Sequence, residues 1–94
     1  MSNYRQSTAE ALGYKRQKVK DSEDYIWINK DDEWMWIEDW QPDKDANHRD
    51  MVWEWLRKQK GGYVYVAEIV QNYLNGESLF TTTKKAWEEY TNNK

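Results

Sequence analysis

The 94-residue chain has no cysteine, one proline, one histidine and four glycines. Without thiols there can be no disulfide, thiolate metal site, iron–sulfur cluster or cysteine nucleophile, and such a composition agrees with a cytosolic chain. The single histidine, His48, would have to recruit every partner of a metal site or nucleophilic relay from carboxylates and hydroxyls, and nothing in the sequence orients its ring. It reads as an exposed residue in the first turn of a helix. No G-x-S-x-G, P-loop, G-x-G-x-x-G or H-E-x-x-H motif occurs. No apolar run approaches the roughly 20 residues of a membrane span, and the leading MSNYRQSTAEAL lacks a signal-peptide core. The expectation is a soluble, cytoplasmic protein without membrane association. There is no internal repeat and no low-complexity tract.

What the chain does have is aromatic surface. Only 38% of residues are apolar and the mean hydropathy is -1.23, yet seven Trp and seven Tyr supply large areas from few positions. A folded chain of this kind builds its core from rings rather than aliphatics. The length and the absence of a long linker predict one domain over residues 1–94.

Local patterns place the elements. Thr8, Ala9, Ala11 and Leu12 form a short helical face, with Ser7 as N-cap and Gly13 as the stop. Tyr14 to Lys20 alternates as a polar edge strand whose lysines discourage edge pairing. YIWIN at 25–29 and WMWI at 34–37 are joined by Lys30-Asp31-Asp32-Glu33, which predicts a hairpin. Within these strands Tyr25, Trp27, Trp34 and Trp36 fall on one alternation, and Ile26, Ile28, Met35 and Ile37 on the other. Both are apolar, so the sheet needs cover on its two faces. Trp27, Trp34, Trp36, Trp53 and Trp87 are accordingly expected in the core. A helix should begin near Asn47 and end at Gly61-Gly62, with an apolar stripe of Val52, Trp53, Trp55, Leu56 and Gln59. Residues 63–74 carry two patterns. Tyr63 to Val66 has strand composition, whereas Val66, Ile69, Val70, Tyr73 and Leu74 have helical spacing. A strand is the expectation, with Asn75-Gly76 as a hairpin turn into a short strand Ser78–Thr81; in the helical alternative Gly76 follows a helix C-terminus. Thr82 or Thr83 then caps a last helix that turns Ala86, Trp87 and Tyr90 inward.

Taken in order, the AEALGY start at Ala9–Tyr14, the Trp-rich hairpin and the Pro-Asp-x-Asp-x-Asn segment at Pro42–Asn47 that opens the central helix resemble the small phage proteins of the phage ABA sandwich family. The resemblance spans nearly the whole chain. It implies a three-layer α/β/α fold, which agrees with two apolar sheet faces, and the fold expected here is α+β: a small three-layer α/β/α sandwich with a mostly antiparallel sheet and about three helices. It implies no enzymatic activity, and points to a phage or prophage accessory protein of the kind that interferes with host functions.

The chemistry-bearing residues favour binding over catalysis. Asp43, Asp45, Asn47 and Glu54 match positions 1, 3, 5 and 12 of a calcium loop, but His48 stands where the turn needs Gly and no helix precedes Pro42. Acids at the start of a helix account for the same residues, so no metal and no cofactor is expected. Glu38/Asp39 and Glu88/Glu89 are adjacent in sequence and read as solvated charges rather than a hydrolytic pair. Charge is segregated: Arg5, Lys15, Arg16, Lys18 and Lys20 face Glu10 alone in the first 20 residues, and residues 21–50 carry eleven acids against Lys30, Lys44 and Arg49. With a pI near 5.1, general nucleic-acid binding is excluded. The leading expectation is a non-enzymatic protein that binds and inhibits a host defence protein through acidic turns at Asp31, Asp32, Glu33, Asp43 and Asp45. Trp40, past the end of the strands, would be its exposed aromatic anchor. The alternative is a small-molecule binder that sequesters a nucleotide signal by aromatic stacking, with Arg5, Arg16 and Lys18 meeting phosphate. A virion or structural component is a third reading, and the oligomeric state stays open.

Overall fold

Asn3 opens the first helix. Its side-chain oxygen accepts hydrogen bonds from the backbone N–H groups of Arg5 at 2.9 Å and Gln6 at 3.3 Å, so the cap is Asn3 and not Ser7, and the helix starts earlier than expected. A computed structural model describes residues 3–93. It is α+β, with four α-helices and a three-stranded antiparallel sheet: α1 (Tyr4–Ala11), β1 (Lys15–Lys18), β2 (Tyr25–Ile28), β3 (Trp34–Trp36), a 3-10 turn (Ile37–Asp39), α2 (Ala46–Lys58), α3 (Gly62–Leu74) and α4 (Leu79–Asn92). Internal packing divides the chain into two units, Met1–Gln41 and Pro42–Lys94.

In the first unit the strands run in the order β1-β2-β3, and the register pairs Arg16 with Trp27 and Trp27 with Met35. Flanking pairs join Lys15, Ile28 and Trp34 in one row, and Gln17, Ile26 and Trp36 in another. Residues directly opposite share a face, so Trp27 and the Trp34/Trp36 pair lie on different sides of the sheet. Burial follows this division: Trp27 is 3% exposed, whereas Trp34 is 56% and Trp36 37% exposed. The expectation that Trp34 and Trp36 belong to the core is therefore corrected. A strand of three residues at the sheet edge shows these indoles to water, while Trp27 sits on the central strand.

Trp40 is corrected in the opposite sense. It is fully buried, because the 3-10 turn folds the chain back and the indole Nε1–H donates to the Thr8 hydroxyl at 3.0 Å. Thr8 in turn donates to the Tyr4 carbonyl at 2.8 Å. An indole buries well where its one polar atom finds an acceptor, and α1 supplies it.

The second unit is a three-helix assembly. Asp45 caps α2 by accepting from the N–H groups of Asn47 at 2.8 Å and His48 at 3.2 Å, and Arg57 and Lys58 occupy the last turn, where the helix dipole favours cations. Residues 63–74 are helix rather than strand, which settles the two patterns in favour of the 3.6-residue spacing: Ile69 is completely buried and Gly62 starts the helix against the end of α2. Gly61 takes a left-handed φ of 76° to make the corner. The short strand at Ser78–Thr81 is likewise absent, because Ser78 caps α4 by accepting from Phe80 N–H at 3.1 Å. Thr82 and Thr83 are then interior helix residues, buried, with their hydroxyls donating to the Leu79 carbonyl at 3.2 and 2.6 Å. Val52, Leu56, Ile69, Ala86 and Trp87 are buried apolar residues of this unit. A ring cluster ties its helices together, with Trp55 5.1 Å from Trp87, and Tyr90 edge-on to both Trp55 and Tyr65 at 5.5 Å.

Two predictions follow from this packing. A Cβ at position 62 would fall 1.7 Å from the Leu56 carbonyl oxygen, a contact only backbone movement could relieve. Gly62→Ala, which in most helices is stabilising, should lower unfolding free energy here by about 3 kcal/mol in urea titration. Between α3 and α4, the hydrogen bond that the protonated Glu68 carboxyl donates to the Glu89 carboxylate holds Glu68 above its ordinary range, with slight desolvation and the neighbouring charge adding to the effect. A raised carboxyl pKa means the folded chain holds the proton more tightly than the unfolded one, so the contribution is complete below the ordinary carboxyl value and fades as pH rises through the raised one. Glu68→Gln keeps the neutral hydrogen-bonding form, and its melting temperature should fall less than that of the parent between about pH 4 and pH 7.

Candidate functional site

The β2–β3 turn presents exposed carboxylates in the first unit. Asn29 organises it: its side-chain oxygen accepts from the N–H groups of Asp31 and Glu33, both at 3.0 Å, and its amide donates to the Glu33 carboxylate at 3.1 Å. Backbone bonds from Asn29 N–H to the Glu33 carbonyl and from Asp32 N–H to the Asn29 carbonyl close the loop, and Asp32 adopts a left-handed φ of 60°. Asp31, Asp32 and Glu33 are all exposed. The chain passes straight from these carboxylates into Trp34 and Trp36, whose rings meet edge to face at 5.4 Å on the open side of the sheet. Half-buried Ile26 and Ile28 lie beside them in the pairing register. Aromatic surface, aliphatic floor and an acidic margin thus adjoin on one face.

The other expected site residues are distributed differently. Asp43 and Asp45 belong to the second unit, where both are half-buried and Asp45 is engaged as the cap of α2. Glu54 pairs with Arg57 at 2.8 Å, which holds its carboxyl below the usual range, so the calcium-loop spacing does not assemble into a ligand set. Among the described residues no group of three or more His, Cys, Asp or Glu side chains could hold a metal ion. Trp40, expected as the exposed anchor, is interior. Arg5 and Arg16 do come together, as walls of one cleft in the first unit that Trp27 and Glu38 also line; Lys18 does not line it. No helix among the described residues is long and apolar enough to cross a membrane.

No known family, curated protein or solved structure matches the chain. The arrangement on the open face supplies apolar area, ring faces that attract cations, and carboxylates, all of which serve association. Sequence reasoning missed Trp34 and Trp36 as surface residues. The available signal was Asn29 four residues before Glu33, a turn-forming side chain that sets the length of the loop and hence the strand register.

If the two indoles are surface groups, Trp34→Ala should cost about 1 kcal/mol or less, chiefly the edge-to-face contact with Trp36. Asn29→Ala, by removing the acceptor of two turn N–H groups, should cost about 1–2 kcal/mol. Chemical denaturation of the two variants should rank them in that order.

Proposed function

We propose that this chain is a non-enzymatic binding module that docks a protein partner on the open face of its sheet, with Trp34 and Trp36 as anchors and Asp31, Asp32 and Glu33 as the charged margin. The observation that carries this reading is the pair of exposed indoles in edge-to-face contact immediately after an acidic turn. Tryptophan is enriched among the residues that dominate interface energetics, and nearby rim charge speeds encounter more than it adds affinity. The partner is a surface that presents Lys or Arg beside apolar groups, since such cations satisfy both the ring faces and the carboxylates. The likeness of the Ala9–Tyr14, hairpin and Pro42–Asn47 segments to phage ABA sandwich proteins supports a host protein as that partner, a defence component among them, inhibited by occupation of its basic surface. On this reading the chain acts in the cytoplasm of the host cell.

Affinity capture from host lysate tests the reading, followed by binding kinetics on the captured partner. Trp34→Ala together with Trp36→Ala should weaken binding by about thirtyfold or more, mainly through faster dissociation. Asp31→Lys with Asp32→Lys should slow association by about tenfold at low salt, and high salt should erase the difference. Unchanged capture by the double tryptophan variant would reject the site.

A further inference from the structure

Of the eight large apolar side chains exposed among the described residues, five lie on α3: Tyr63, Val64, Val70, Tyr73 and Leu74. At about 100° per residue, Tyr63, Ala67, Val70 and Leu74 fall within about 60° of one another, on a different side of the helix from buried Gly62 and Ile69. All four are exposed. Their 4-3-4 spacing is that of a coiled-coil seam, which packs on another helix. The contacts of α3 with its own neighbours come from elsewhere on its surface, from Gly62 against the end of α2 and Tyr65 against Tyr90 of α4. Charged residues make up 33% of the chain, yet the thirteen residues of α3 include one, Glu68, whose carboxyl is engaged with Glu89 of α4. The stripe itself is uncharged, as the cores of interfaces are. With Tyr63 at 74% and Leu74 at 72% exposure, the five side chains leave on the order of 500 Å² of largely apolar surface in water. Covering this area on two copies buries about 1,000 Å², the lower limit for a specific protein interface.

We propose that α3 of one chain packs antiparallel against α3 of a second copy, forming a two-fold symmetric dimer. Antiparallel pairing about the centre of the stripe sets Tyr63 of each copy against Leu74 of the other, and Ala67 against Val70, so the same four residues serve both sides. Small Ala67 lets the helix axes approach, and the bulky pairs close the two ends. A parallel pair would instead bring both helix N-termini together, with exposed Lys60 of each copy just ahead of them, and like charges there oppose association. The stripe belongs to the second unit and Trp34 and Trp36 to the first, so self-association and partner docking use different residues. An area at the lower limit makes the dimer a weak one, half assembled on the order of 10 μM.

Sedimentation velocity of the full chain between about 1 and 300 μM, a range that brackets this value, tests the dimer. The weight-average mass should rise from that of one 11.5 kDa chain and level off at twice that value. Leu74→Glu and Tyr63→Lys, both at exposed positions, should each weaken the dimer by about tenfold or more while leaving the far-ultraviolet helical signal unchanged. Mixed in equal amounts, the two variants should associate about tenfold more tightly than either alone, because antiparallel packing places the introduced charges, of opposite sign, side by side. Should either variant lose helical signal, Ala67→Arg, a good helix former at an exposed central position, takes its place as the disrupting change. Trp34→Ala with Trp36→Ala should leave the rise in mass unchanged, which separates this interface from the docking face. A chain that stays monomeric throughout, leaving α3 to a different partner, would overturn the proposal, as would a mass that climbs past the dimer without levelling. So would a dimer that survives the charge variants or is lost with the tryptophans, or a mixture no tighter than its components.

Discussion

The register of the β2–β3 hairpin is the constraint on which the first unit depends. Pairing Trp27 with Met35, and Ile28 with Trp34, assigns one indole to the interior and two to the surface. A slip of one residue in β3 would bring Trp34 and Trp36 to the same side as Trp27, because side chains alternate with a period of two. What holds the register is the Asn29–Glu33 loop, where one asparagine side chain bonds two backbone N–H groups and the residue at φ 60° completes the reversal. The proposed docking surface is thus a consequence of turn chemistry at Asn29, which is not itself one of the exposed rings.

The two faces of this sheet have opposite chemical character. The open side joins indoles to carboxylates at the hairpin turn, whereas the side facing the cleft joins two arginines to the buried indole of Trp27. The charge segregation along the chain, basic before residue 21 and acidic after it, becomes a separation in space because β1 contributes Arg16 to one side and the β2–β3 turn contributes its acids elsewhere. The small net charge of -3 conceals this uneven distribution of charge.

The tryptophans of the first unit occupy three situations, set by burial and by the polar atom of the indole. Trp40 is interior because Thr8 of α1 offers its hydroxyl as an acceptor. Trp27 is interior without an acceptor, at a cavity wall. Trp34 and Trp36 are exposed, with their rings in edge-to-face contact. In the second unit Trp55 and Trp87 meet Tyr90, which also meets Tyr65 edge to face, so ring contacts join α2, α3 and α4.

The α+β class, the antiparallel hairpin, the polar edge strand, α2 and the exposed acids at Asp31 to Glu33 were determined by the sequence itself, because alternation, turn residues and capping act over a few neighbouring positions. Residues 63–74 lay beyond such reasoning: β-branched and aromatic composition favoured strand locally, and the close approach of Gly62 to the Leu56 carbonyl, with Ile69 buried, decided for helix. The same holds for the tryptophans. Alternation reveals which residues share a side of a strand, but burial depends on which strand pairs at which register and on whether a distant residue such as Thr8 can meet an indole N–H. Those are contacts between segments far apart in the chain, and only the tertiary structure brings them together.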